Sequence, residues 1–178
     1  MKTFRLALIL SLLFLFSCSA GNPPVTVTPT SEISNPGLPN FHKVSDNLYR
    51  SGQPNREGMK IAKEMGIKTV VNLRSFHTDW FYTVFLGLQT EHIWCKAWHP
   101  EMEDAQKFLK IVQNKDNWPV LVHCQHGSDR TGTMVAIYRI KVQGWAVDKA
   151  IDEMVKGPYG FHEIWQDFLP PFLEQFKM

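Results

Sequence analysis

Cysteine is scarce in this sequence, and its scarcity rules out one class of small protein. Three cysteines occur among the 178 residues. Secreted domains that are too small to build a core depend on a dense set of disulfides, which three cysteines cannot supply. The stretch 41–178 is long enough to bury an apolar core of its own. We therefore expect one domain that needs no disulfide.

Surplus charge of one sign is also missing. The formal net charge is +2, from 19 Lys and Arg against 17 Asp and Glu. Two of the cations, Lys2 and Arg5, lie in a leader, and its removal would leave 17 charges of each sign. This balance argues against nucleic acid as a partner, so any attraction for phosphate has to be local.

The leader lacks a hydrophobic run long enough to span a bilayer. Residues 6–16 are apolar apart from Ser11, which is the length of a signal-peptide core rather than of a transmembrane helix. We therefore predict that residues 1–17 are a signal peptide. Large apolar residues are nearly absent from residues 18–40, which are rich in Pro, Ser, Thr and Asn. This composition predicts an unfolded tether.

The end of the leader, LFSC, resembles the lipobox of bacterial lipoproteins. The resemblance implies cleavage before Cys18, lipidation of that residue and a lipid anchor at the cell envelope. Because Ser19 follows, it favours the periplasmic side of the outer membrane if the cell is Gram-negative. The alternative is cleavage nearer Ala20, which would give a secreted protein.

A polar loop between two apolar segments is the most informative part of the chain. Residues 119–138 read PVLVHCQHGSDRTGTMVAIY. The run 120–122 is typical of a buried strand, and residues 133–140 carry apolar side chains at helical spacing. A strand, a tight loop and a helix form the geometry in which backbone N–H groups converge on an anion.

The residue types in this loop indicate phosphoryl chemistry. Cys124 supplies a thiolate nucleophile, a form that a helix N-terminus and a guanidinium both stabilise. Arg130 offers a planar pair of donors that matches two phosphate oxygens. Gly127 has no Cβ, so the backbone can approach a ligand closely. One loop thus carries a nucleophile and an anion site, which is most of what phosphoryl transfer requires of a protein.

The segment HCQHGSDRTG resembles the Cys-x5-Arg signature of cysteine-dependent protein tyrosine and dual-specificity phosphatases. YRSGQP at 49–54 and GIKTVVNLR at 66–74 resemble the compact atypical dual-specificity type, and the likeness spans about residues 41–175. It implies hydrolysis of phosphotyrosine or dual-specificity protein substrates through a phosphocysteine intermediate, without metal or other cofactor. Phosphoinositides or inositol polyphosphates are alternative substrates. A phospholigand-binding pseudophosphatase is the non-enzymatic alternative.

The resemblance also implies roles for the loop residues. Cys124 is the nucleophile, Arg130 holds the phosphoryl oxygens, and His123 orders the loop. The substrate phosphate is bound by the rest of the loop, namely Gln125, His126, Gly127, Ser128 and Thr131. No metal site is expected from the histidines around Cys124, because so short a spacing does not make a four-ligand shell.

The acid that protonates the leaving oxygen stays open between two places. Asp129 lies inside the loop, as in other phosphatases with an Asp at this position. Residues 98–104 loosely resemble the mobile acid loop of larger tyrosine phosphatases and offer Glu101 and Asp104. Acidic residues also belong in a first helical turn, so these two have a structural reading as well. Asp79 or a water molecule is the remaining alternative.

The two cysteines of the domain allow one redox hypothesis. Cys95 lies in an apolar stretch, which predicts a buried side chain that behaves as a small hydrophobe. A reversible disulfide with Cys124 is the alternative. It would protect the nucleophile in an oxidising compartment.

Apolar periodicity predicts alternating strands and helices. We expect a hairpin at 41–51 with its turn at 46–47, and strands at 68–73, 91–96 and 120–122. We expect helices at 54–65, 101–114, 133–140, 147–156 and 162–176. A further helix is expected to be capped at 78–79 and to end at 85 or 88. This order predicts a single α/β domain with a mainly parallel central sheet flanked by helices. Ligands bind beyond the carboxyl ends of such strands, so residues 74–79 and 97–104 are expected beside the loop 124–130.

Overall fold

The computed structural model describes residues 35–163 and 167–177, where five strands form one sheet. The strands are β1 His42–Ser45, β2 Leu48–Ser51, β3 Thr69–Asn72, β4 Gln89–His92 and β5 Val120–His123. Their order in the sheet is β1-β2-β5-β3-β4. The β1–β2 pair is antiparallel and the three other pairs are parallel. The predicted α/β domain with a mainly parallel sheet is confirmed.

Six α-helices flank this sheet in the described part of the chain. They are α1 Arg56–Glu64, α2 Trp80–Val84, α3 Met102–Gln113, α4 Asp129–Lys141, α5 Val147–Lys156 and α6 Leu169–Leu173. Helices α3 to α6 enclose the larger apolar core, which contains Phe108 and Ile137. Helix α1 encloses the smaller core, which contains Met59 and Leu121, and Tyr82 of α2 packs against it.

Strand β5 and helix α4 form the rigid centre that carries the signature loop. All four side chains of β5 are buried, as expected of a parallel strand covered on both faces. Along α4, every residue from 131 to 140 is buried. Because both elements are fixed by packing, the loop that joins them is held at both ends.

The bounds of several predicted elements differ from the structure. Strand β4 ends at His92 rather than continuing to 96, because its partner β3 ends at Asn72, directly opposite His92. The last helix begins at Leu169 rather than at 162. Pro170 and Pro171 stand in its first turn, where proline is tolerated because the N–H groups lack intrahelical acceptors. Helix α2 also ends at Val84, short of the predicted end at 85 or 88.

The predicted signal peptide at 1–17 and the lipidation site Cys18 lie outside the described residues. Of the predicted tether at 18–40, residues 35–40 are described, and they pack on the domain. Leu38 is buried against α1, and the Asn55 N–H donates to the Gly37 carbonyl at 3.1 Å. Packing therefore begins before residue 41. In the described ranges, no helix combines the length and apolar character needed to cross a bilayer.

Candidate active site

Cys124 is the first residue after β5, and the loop from it leads into α4. Its side chain is buried, with 3% of its surface exposed. The backbone N–H of Gly127 donates a hydrogen bond to the Cys124 sulfur at 3.3 Å. The loop therefore curls back over the sulfur, as the strand, loop and helix pattern predicts.

Gly127 is the residue on which this curl depends. Its φ is +78°, a backbone conformation that side chains disfavour. A Cβ at this position would lie 2.6 Å from the Gly52 nitrogen and 2.6 Å from the Ser51 carbonyl carbon. The loop thus packs directly on the backbone at the end of β2, in a space that only glycine fits.

Arg50 is a further residue of the site. It is fully buried, its Nη2 donates to the Gly127 carbonyl oxygen at 2.6 Å, and its guanidinium lies 3.7 Å from the centre of the Tyr159 ring. Burial lowers its pKa to about 10, which still leaves it charged at neutral pH. Arg50 belongs to the YRSGQP segment at 49–54, which begins in β2, the strand that pairs with β5. That segment is the sequence feature that could have indicated this contact.

Arg130 is held by backbone carbonyls from two neighbouring strand ends. Its Nη1 donates to the Leu73 carbonyl oxygen at 3.2 Å and more weakly to that of Cys95 at 3.4 Å. Leu73 directly follows β3, and Cys95 lies just beyond β4. The ends of three parallel strands therefore meet at this guanidinium, as the sheet-edge rule predicts.

A cavity of about 320 Å³ opens at this edge and collects most of the predicted loop residues. It is lined by Ala97, Cys124, Gln125, His126, Asp129, Arg130 and His162. Ser128 and Thr131 are buried behind the loop rather than lining the cavity, and the Thr131 hydroxyl makes no hydrogen bond among the described residues. The cavity thus brings a thiol, a guanidinium and a carboxylate together.

Asp129 is oriented by a residue that the sequence did not single out. The backbone N–H of His162 donates to Oδ1 of Asp129 at 3.0 Å, and the His162 ring Nδ1 lies 2.9 Å from Oδ2. Both side chains line the same cavity as Cys124. His162 follows α5 in an irregular segment, so sequence spacing gave no indication of this contact.

Glu101 and Asp104 do not line the cavity of Cys124. Glu101 lies at the start of α3 and pairs with Lys96 at 2.7 Å, and that hydrogen bond holds its pKa below the usual value. Asp104 is 7% exposed and lines a separate small cavity together with Cys95 and Arg130. Burial raises the pKa of Asp104, and the negative charge of Glu101 adds to the effect.

His123 is fully buried and is fixed by Asp79. Its Nε2 lies 2.7 Å from Oδ2 of Asp79, and its Nδ1 is 3.4 Å from the Cys124 carbonyl oxygen. Gln53 donates to the other oxygen of Asp79 at 2.8 Å. Burial alone would raise the pKa of Asp79, but the hydrogen bonds from His123 and Gln53 and the charge of His123 hold it below its usual value. Asp79 therefore faces the loop base and makes no capping hydrogen bond at α2.

Both cysteines of the described chain are free thiols and both are buried. Burial raises the pKa of the Cys95 thiol strongly, and the adjacent carboxylate of Asp104 raises it further. Cys95 is therefore an unreactive thiol in this conformation. Within the described ranges, no group of three or more His, Cys, Asp or Glu side chains is placed to hold a metal ion.

Comparison with known proteins points to one family. Residues 34–167 match the family described as PTP-NADK, DSP-PTPase phosphatase fused to NAD+ kinase. The dual specificity protein phosphatase TpbA of Pseudomonas aeruginosa is 32% identical over 133 residues, which are 72% of this chain and 59% of that protein. An inositol diphosphatase of Arabidopsis thaliana is 27% identical over 129 residues, 66% of this chain and 61% of its own. The chain thus spans about three fifths of the length of these relatives.

Solved structures agree with this result. The crystal structure of TpbA superposes with a TM-score of 0.72 at 28% identity and covers 82% of this chain and 89% of its own. A cysteine-to-serine variant of TpbA in complex with pTyr gives the same TM-score at 26% identity, over 85% and 91% of the two chains. By its sequence match, its fold and its Cys-x5-Arg loop, the chain belongs to the dual-specificity and tyrosine phosphatase family.

Proposed function

We propose that this chain hydrolyses phosphate monoesters through a phosphocysteine intermediate, with phosphotyrosine or dual-specificity protein substrates. One observation carries the proposal: Cys124 and Arg130 line one cavity, and the Cys124 sulfur there accepts a hydrogen bond from the Gly127 N–H. A thiolate and a phosphoryl dianion are both stabilised by such donors, so nucleophile and substrate share one set of contacts.

In the first step, the Cys124 thiolate attacks phosphorus. An S–P bond forms while the bond from phosphorus to the leaving oxygen breaks, and the leaving oxygen takes a proton from an acid. Arg130 holds the phosphoryl oxygens while its Nη1 remains anchored on two backbone carbonyls. A guanidinium fixed in this way loses little conformational freedom on binding.

We assign Asp129 as the acid that donates a proton to the leaving oxygen. It lines the cavity with Cys124, whereas Glu101 is held in an ion pair with Lys96 and Asp104 faces a different cavity. Its hydrogen bonds to His162 fix the direction of its carboxyl group. A donor must be within hydrogen-bond reach of the reacting oxygen, and position is therefore the first criterion.

In the second step, water hydrolyses the phosphocysteine. The water oxygen bonds to phosphorus as the S–P bond breaks, and Asp129 accepts the proton that water loses. Inorganic phosphate leaves and the Cys124 thiolate is restored. Both steps use groups of the chain itself and need no cofactor.

A second substrate class has its own support. Arg74 lies near Arg130, and burial together with the positive charge of Arg130 lowers its pKa. A second guanidinium beside the first suits a ligand with more than one phosphate. One relative is named an inositol diphosphatase. Inositol polyphosphates and phosphoinositides are therefore the alternative substrates.

We further propose that the chain is anchored at the cell envelope by a lipid on Cys18, on the periplasmic side of the outer membrane if the cell is Gram-negative. The support is in the sequence: the apolar run at 6–16, the lipobox-like LFSC and the polar stretch that follows it. Mass spectrometry of the mature protein tests this, because a diacyl or triacyl group on Cys18 adds a defined mass. An unmodified N-terminus at Ala20 or later would contradict it.

Turnover of p-nitrophenyl phosphate by the full chain in the presence of EDTA tests the catalytic proposal. We expect activity in the wild type and none in Cys124→Ser. A panel of phosphotyrosine peptide, phosphoserine peptide, phosphoinositide and inositol polyphosphate at fixed enzyme concentration then identifies the substrate class. A wild type that binds phosphotyrosine peptide without hydrolysing any of these substrates would instead be a phospholigand-binding protein.

A further inference from the structure

A run of apolar side chains around α2 faces solvent. Five of the ten residues from 76 to 85 are large, apolar and exposed, and we call them the α2 face. Their exposed fractions are 92% for Phe76, 64% for Trp80, 63% for Phe81, 45% for Val84 and 80% for Phe85. Single exposed apolar residues are ordinary on a protein surface, but a cluster of this kind marks an interaction site.

The chemistry of the α2 face suits a lipid–water interface. Trp and Phe are the side chains that partition best into the headgroup region, and flanking cations add attraction for anionic lipid. Arg56 and Lys60 line a surface cavity of about 350 Å³ together with Phe81 and Phe85. Because Lys60 pairs with the exposed Glu57 at 3.0 Å, the net positive charge beside this cavity is that of Arg56. The one acidic residue between 76 and 85, Asp79, is fully buried. The segment therefore presents no exposed carboxylate to an anionic surface.

The chain enters the domain beside the same helix that carries these cations. Gly37 packs on the backbone of Gly58, where a Cβ on Gly37 would lie 2.5 Å from the Gly58 nitrogen. The Gly37 carbonyl accepts from the N–H of Asn55, the N-cap of α1. Arg56 is the next residue, and it lines the cavity beside Phe81 and Phe85. The tether and the α2 face thus meet at the first turns of α1.

The length of the tether permits contact between this face and a membrane. From Cys18 to Asn35 the chain advances 17 residues, which reach at most about 60 Å when fully extended. A domain held so close to a bilayer meets it at a high effective concentration, so weak apolar contacts are enough for docking. We infer that the α2 face docks into the interfacial region of the bilayer that holds Cys18. This inference rests on the proposed lipid anchor and is independent of the catalytic proposal.

Quenching of tryptophan fluorescence tests the inference on the full, lipidated chain. The protein is reconstituted on vesicles of phosphatidylethanolamine and phosphatidylglycerol with brominated acyl chains, which quench indoles that enter the bilayer. The variant Phe81→Ser/Phe85→Ser keeps every tryptophan as a reporter. The matched control is Val142→Ser, an exposed apolar residue at the far end of α4.

We expect the wild type and Val142→Ser to be quenched equally. The double variant should lower the ratio of docked to undocked protein by about tenfold or more, because two aromatic side chains no longer enter the interface. Flotation of the vesicles shows that all three proteins remain attached. A circular dichroism spectrum that matches the wild type shows that the double variant is folded.

Three results would overturn the inference. The wild type floats with the vesicles but is not quenched, in which case the face serves another partner. The double variant is quenched as strongly as the wild type, in which case another surface enters the bilayer. The wild type does not float at all, in which case the attachment is missing. An inactive but quenched wild type refutes the catalytic proposal alone and supports docking.

Discussion

Nη2 of Arg50 lies 2.6 Å from the Gly127 carbonyl oxygen, while the N–H of the same glycine points at the Cys124 sulfur from 3.3 Å. The buried guanidinium of Arg50 therefore orients Gly127, and the N–H of Gly127 in turn stabilises the Cys124 thiolate. Among the described residues, Arg50 donates to the Gly127 carbonyl and makes no hydrogen bond to the Cys124 sulfur, so it is a positioning residue.

Replacement of Arg50 by Met should lower kcat/KM for p-nitrophenyl phosphate roughly 10- to 100-fold, the range expected when a hydrogen bond from a charged donor is lost. Inhibition by vanadate should weaken by a similar factor, because vanadate occupies the same loop. Arg50→Lys should restore part of both. Arg56→Met, at an exposed position on α1, is the control. A variant with reduced stability but unchanged vanadate inhibition would show that Arg50 is only structural.

Gly127→Ala and Gly144→Ala form a matched pair. Both glycines have positive φ, +78° and +69°, so both variants bear a backbone strain of about 1–3 kcal/mol. A Cβ at Gly144 meets no atom within 4 Å, whereas one at Gly127 would clash with the backbone of Ser51 and Gly52. We expect Gly127→Ala to lose about 100-fold or more in kcat/KM, since the loop has to shift by a fraction of an ångström or more. Gly144→Ala should remain active, and equal losses in the two would contradict the assignment.

Asp129→Asn should lower kcat by roughly 10²- to 10⁴-fold for an alkyl phosphate, whose leaving oxygen requires a proton. The loss should be much smaller for p-nitrophenyl phosphate, because p-nitrophenolate leaves without one. Glu101→Gln and Asp104→Asn are the comparison variants and should stay close to the wild type with both substrates. The assignment is wrong if the leaving-group dependence appears in either of those variants and not in Asp129→Asn.

Asp79 should contribute to stability in a pH-dependent way. Its pKa is lower in the folded protein than in the unfolded chain, so its interaction stabilises the fold above about pH 4 and is lost as the pH falls through the folded-state value. Asp79→Asn should lower the free energy of unfolding by about 2–4 kcal/mol at pH 7. Urea unfolding at several pH values measures this, and the difference from the wild type should shrink below pH 4. A constant difference would show that the charge is not involved.

The contribution of Asp104 to stability should depend on pH in the opposite direction to that of Asp79. Burial raises its pKa in the folded protein, so its proton stabilises the fold at low pH and that contribution is lost as the pH rises. Asp104→Asn keeps an oxygen for the Cys95 thiol and removes the buried charge. We therefore expect a higher urea midpoint than the wild type at pH 7, with the two proteins converging near pH 3. A lower midpoint at pH 7 would show that the ionised carboxylate is needed.

Local patterns predicted the order of strands and helices well, and the misses are at the boundaries of elements. Helix α5 was predicted at 147–156 and is found there, because its apolar face and the Gly157-Pro158 pair that follows it are local features of the sequence. Strand β4 was predicted to start two residues and to end four residues too late, because its bounds depend on the partner β3. The helix predicted from 162 begins only at Leu169, because paired prolines fix its first turn. Where a boundary depends on a distant partner, periodicity along the chain cannot locate it.

The candidate site also has a part that the sequence identifies and a part that only the structure reveals. Cys124, Gly127, Asp129 and Arg130 lie within one short segment, so residue type and spacing alone identify them. Three long-range contacts complete the site: Arg50 to Gly127, Asp79 to His123 and His162 to Asp129. Each joins residues 33 to 77 positions apart in the chain. The sequence by itself determined the reacting groups, because their chemistry is local. Only the tertiary structure decided which buried charges orient those groups, because that depends on which strand ends lie side by side.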